Sequence, residues 1–149
     1  MEETTSRVPA VIDALVTRLT GAQGCQVVDG PRAAQDVEND VVVIGMPDGS
    51  GEAVTSTIER AQGLGNRLNE TFAIWGVISS FAGDVDIKPR RDRVAAIFAD
   101  LDAALKQDRA LGGVADIVGL GGDLAWRQAQ TKDGAVCEVS FQIVGRAAL

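Results

Sequence analysis

No histidine occurs anywhere in the 149 residues, which removes the usual Ser-His-Asp and Cys-His arrangements and the commonest metal ligand together. Tyrosine is missing as well, and four Phe and two Trp are all the aromatics there are, so stacking platforms for single-stranded nucleic acid are poorly supplied. Those few rings fall on alternating or helical patterns and are expected in the core. Cys25 and Cys137 lie far apart and form no CxxC pair, which predicts two small core residues rather than a disulfide framework or a zinc site. Long apolar runs are lacking too. Segments such as Val41–Ile44 fall far short of the ~18 residues that a membrane-spanning helix needs, and the acidic Glu2 and Glu3 are unlike the basic start of a signal peptide. A cytosolic product is expected, with no membrane partner, cofactor or metal. Basic residues are outnumbered 21 to 14, for a net charge of −7, which argues against general attraction to nucleic acid because that binding works by Lys and Arg displacing counterions.

What is present reads as one α+β domain over residues 1–149. Val8, Val11, Ile12, Leu15, Val16 and Leu19 recur at three- and four-residue steps and predict an amphipathic helix, with Ser6 as its cap and Pro9 in its first turn. A short β segment at Gln26–Asp29 and a buried strand at Val41–Ile44 follow. The Met46–Gly51 loop then breaks the pattern, since Pro47 has no amide to donate and the glycines favour turns. Glu52–Gln62 is read as a strand, Gly63–Asn69 as a turn and Thr71–Phe81 as a strong strand, which together suggest a long β-hairpin. A second helix is expected from near Pro89 to about Gln107, with Val94, Ile97, Phe98, Leu101 and Leu105 on one face. Two β segments close the chain, Val114–Thr131 and Ala135–Gly145, joined by Lys132-Asp133-Gly134. In the last of them Cys137, Val139, Phe141 and Ile143 alternate with polar residues, so one face is buried and one wet. The predicted order is α-β-β-β-β-α-β-β, two helices on a mainly antiparallel sheet.

Candidates for chemistry are few. Asp84 and Asp86 could hold a divalent ion or sit in a loop and cap the second helix. Gly119-Leu120-Gly121-Gly122 is neither a Walker sequence nor a GxGxxG and reads as a bend or bulge within a β segment. Lys88, Arg90, Arg91 and Arg93 form the one concentrated basic patch, open to three readings: a solvated face, pairing with a neighbouring subunit's carboxylates, or contact with a phosphate.

The stretch from Asp84 to Val114 carries Asp86, then Arg90-Arg91-Asp92-Arg93-Val94 leading into a helix, Leu101, Leu105, Asp108 and Leu111-Gly112-Gly113-Val114. With a β-hairpin behind it, the Trp75-containing strand before it and the amphipathic first helix, it resembles the tail terminator (tail-completion) proteins of long-tailed, non-contractile bacteriophages over nearly the whole chain. The resemblance implies a ring, usually of six subunits, that caps the head-proximal end of the tail tube, stops tube polymerisation and docks the head connector or neck protein. Genomic DNA would pass through its lumen without specific binding, and the protein would end in the virion after assembly in the host cytoplasm. An acidic chain suits a sliding genome. Ring closure needs a heterologous interface, and the candidate contacts are Met46, Asp48 and Ser50 in the first loop, Gly65, Asn66 and Arg67 in the turn, and Arg90, Arg91 and Arg93. Both loops are expected to order on binding the tube or connector. Another head–tail joining protein, a small ligand-binding or enzymatic α+β domain, and a cellular scaffold are the competing readings.

Overall fold

A computed structural model describes residues 5–20, 24–31, 39–47, 51–60, 68–83 and 86–149. Two helices and six strands follow one another as α1 (Val8–Leu19), β1 (Gln26–Asp29), β2 (Asp40–Ile44), β3 (Val54–Arg60), β4 (Leu68–Ala82), α2 (Ile87–Gln107), β5 (Ile117–Thr131) and β6 (Gly134–Ala148), with a short 3-10 turn at Leu111–Gly113. The class is α+β, and the sheet is mostly antiparallel. Its strand order is β1-β2-β4-β6-β5, with only β1 and β2 parallel. Along one edge of β4, β3 and β2 dock end to end: β3 pairs with Leu68 to Ile74 and β2 with Gly76 to Ser80. The other edge of β4 pairs with β6 along its whole length.

Both helices cover the same face of the sheet, α1 over β1 and β2, α2 over β4, β5 and β6. Helical spacing puts Val11, Leu15 and Leu19 of α1 and Val94, Ile97, Leu101 and Leu105 of α2 against the strands, and all are buried. Period-two alternation answers from below, with Phe72, Ile74 and Ile78 of β4 and Cys137, Val139, Phe141 and Ile143 of β6 in the same cluster. Each fully buried aliphatic of this kind contributes roughly 1.5–3 kcal/mol, so the stripes fix which face each element turns inward. Arg18 ties the two helices together through the Ala104 carbonyl and Gln107.

Helix boundaries follow their caps. α2 starts two residues earlier than Pro89, because the Asp86 carboxylate accepts from the Lys88 amide at 3.2 Å. That gives Asp86 its capping role, while Asp84 lies outside the described residues. At α1 the residue in the cap position is Arg7, with no side-chain bond of its own. Ser6 stands one residue further out, where its hydroxyl accepts from Val8 and donates to Glu70. Within β5, three residues stand between Gly121 and Ala125 where β6 has only Phe141, a bulge made possible by the positive φ of Gly122 (+77°).

Candidate functional site

Of the predicted contact residues, Asp48, Ser50, Gly65, Asn66 and Arg67 lie outside the described residues. Met46 follows β2, where it and Gly45 both donate their amides to the Trp75 carbonyl. Its side chain packs with Val28, Val41 and Val43 on the face away from the helices, at the rim of a shallow depression of about 320 Å³ that Val77 and Ser140 also line.

The three arginines part company. Arg93 and Arg90 turn toward the sheet and meet Asp40, at 2.9 and 3.8 Å, and Ser80 links them, donating to Asp40 at 2.6 Å while accepting from Arg90 at 2.9 Å. Arg91 points outward and donates to Gln128 on β5 at 3.0 Å. Lys88 pairs with Asp92 one turn along the same helix. The basic patch is therefore knitted largely into its own chain, with Arg91 the member that reaches the β5 edge.

A second carboxylate sits deeper. Glu70 is fully buried on β4, and it accepts from the Ser6 hydroxyl at 2.7 Å and the Arg7 amide at 2.6 Å, which pins the start of α1 to the sheet. Burial by itself would push both acids up. For Glu70 the bonds from Ser6, the Arg7 amide and Ser56 outweigh it; for Asp40 the bonds from Ser80 and Arg93 and the charges of Arg93 and Arg90 do. Both carboxyls are held below their ordinary values of 4.5 and 3.8. A carboxyl with a depressed folded-state pKa binds protons more readily when unfolded, so its stabilisation is present above the ordinary value and is lost as pH falls below it. Tm is thus expected to fall as pH drops from about 6 to about 3, and less steeply in the double variant Asp40→Asn, Glu70→Gln; equal slopes in a calorimetric pH series would rule out these two acids as the cause.

The feature that sequence reasoning missed lies at the margins of the sheet. Every large exposed apolar side chain among the described residues sits on β3 or β5: Ile58 at 50% exposure, and Ile117, Leu124 and Trp126 at 44% each. Among the described residues both strands are edges, β3 pairing only with β4 and β5 only with β6. Trp126 corrects the expectation that every ring belongs to the core, because it lies opposite Val139 on β5, the outermost strand among the described residues, and is half exposed. Edges exposed to water are normally blunted by Lys, Pro or inward-pointing charge. Neither β3 nor β5 has a Lys or Pro, and their charges are limited to Glu59 and Arg60 at the end of β3 and Asp123 and Arg127 in β5. No protein-family model and no curated protein matches the chain.

Unpaired edge amides and carbonyls with an apolar side chain among them are suited to adding a strand from another molecule. At the start of β5 the outer edge is occupied, since the Val118 amide donates to the Arg109 carbonyl at 2.7 Å. Beyond the bulge, from Leu124 to Thr131, β5 is exposed at every residue. Among the described residues no three His, Cys, Asp or Glu side chains come together as a metal-binding group, and no helix is long and apolar enough to cross a membrane.

Proposed function

We propose that this chain is a structural assembly protein whose copies join edge to edge into a closed ring of the tail-terminator kind, capping the head-proximal end of a phage tail tube, stopping its polymerisation and docking the head connector. The observation that carries the reading is the confinement, among the described residues, of large exposed apolar side chains to two edge strands on opposite sides of one sheet. Two different edges on opposite sides favour a heterologous contact, in which each copy offers one edge to each neighbour and the rotation closes. The resemblance supplies the number, usually six, and the setting between tube and head. Net charge of −7 favours a genome that passes through without sticking.

Incubated with purified tail tubes, the protein is expected to bind tube ends only, one ring per end in negative-stain images, and to halt further growth when tube protein is added. Attachment only to DNA-filled heads would move the protein to the neck, and attachment to neither tubes nor heads would end the reading.

A further inference from the structure

Strand directions carry the edges further. β4 is antiparallel to β3 and to β6, and β6 is antiparallel to β5, so β5 and β3 run in opposite directions within one copy. Rotation into a neighbour preserves direction, and β5 of one copy therefore meets β3 of the next in the antiparallel mode, the more stable way to extend a sheet. Resting on the ring reading above, we infer that the exposed half of β5, Leu124 to Gln130, pairs with β3, Val54 to Arg60, of the adjacent copy, with Trp126 opposite Ile58.

Length, face and charge agree on that register. Seven residues of β3 match the stretch of β5 beyond the bulge, so the irregular backbone at Gly122 stays outside the joint. Trp126 lies opposite Val139, and Ile58 lies opposite Glu70, and both of those partners face the helices. The two apolar side chains therefore project on the same side, as a cross-strand pair must. On the opposite face Glu59 becomes the diagonal neighbour of Arg127, which is 64% exposed and reaches its own Glu138 only at 4.0 Å. No two like charges stand opposite one another. Pairing β5 with β5 through a two-fold axis would instead bring the two Arg127 side chains together and leave Ile58 in water.

The joint also fixes the attitude of the ring. Through β6, Trp126 stands level with Ile78 of β4, while Ile58 stands level with Glu70. Neighbours are thus staggered eight positions along the strands, about 26 Å over the ~19 Å width of four strands, and the strands tilt steeply to the ring axis. Trp75 faces away from the helices and directs its amide and carbonyl to residues 45, 46 and 53. For L-residues this puts β3 on the left and β5 on the right, viewed from the helices with β4 running upward. An upward stagger toward the right then matches the right-handed tilt of closed sheets only when the helices lie outside and the other face lines the hole.

Single-cysteine probes test the pairing, with Cys25 and Cys137 buried and silent. A mixture of Ile58→Cys and Trp126→Cys proteins at high concentration under mild oxidation is expected to give a cross-linked dimer that neither variant gives alone, and the double variant a covalent ladder ending at the ring. Trp126→Glu and Ile58→Lys should each weaken self-association measured by native mass by roughly tenfold, with unchanged circular dichroism. Rings that persist in both variants, or cross-links formed only between like cysteines, overturn this pairing and leave the ring reading standing. Protein that remains monomeric in solution and absent from tail-tube ends overturns both.

Discussion

Phe141→Ala is expected to lower stability by about 4 kcal/mol, more than any other single truncation in the sheet, and to lower Tm by about 12 °C for a domain of this size. Phe141 is the largest fully buried side chain among the described residues. Its ring meets Phe98 of α2 edge to face, with centroids 6.4 Å apart at 78°, and its other side lies over Gly76 of β4, its direct cross-strand partner. A Cβ at Gly76 would stand 2.6 Å from the Phe141 ring and 2.8 Å from the Val43 carbonyl oxygen. Glycine is thus required there by the ring above and the strand beside it. Gly76→Ala alone should cost about 1–3 kcal/mol through overpacking. In the Phe141→Ala background one of its two obstacles is gone, so the pair should be less than additive by about 1 kcal/mol. Strict additivity in denaturant titrations would refute the contact.

Glu70→Ala is the second large effect, about 3 kcal/mol. Truncation removes the acceptor for the Ser6 hydroxyl and the Arg7 amide, and bonds to a charged group are worth more than neutral ones. The carboxylate also sits at the start of α1, where negative charge suits the exposed amides of the first turn. Glu70→Gln keeps one acceptor and the shape of the side chain, so about 1 kcal/mol is expected. Hydrogen exchange locates the damage: in Glu70→Ala the amides of α1 should lose protection more than those of α2. Equal losses in both helices would mean that Glu70 supports the core in general and has no special hold on the N-terminal segment.

These residues also mark what could be read in advance. The alternation of Cys137, Val139, Phe141 and Ile143 was legible because a half-buried strand imprints its two-residue period on the sequence, and the stripes of α1 and α2 likewise carry the helical period. Glu70 was not legible as a buried group, since its partners Ser6 and Arg7 lie more than sixty residues away and no local pattern announces such a bond. For the same reason Arg90 and Arg93 read as a basic patch, although Asp40, some fifty residues earlier, receives both. Trp126 is expected in the core because it falls on an alternating pattern like the other rings. Only the order of strands across the sheet reveals that β5 is last in line, and strand order is a property of long-range pairing that composition and periodicity do not encode.

The unbroken pairing of β4 with β6, from Asn69 opposite Ala148 to Ala82 opposite Ala135, has a mechanical consequence. Tension applied along these strands loads the rungs in parallel, so they must give way together, whereas tension applied across them would open the pair one rung at a time. If neighbouring copies grip β3 and β5, the strands flanking this pair, and sit staggered along it, outward pressure on the hole resolves partly into sliding along β4 and β6, the direction in which they are strongest.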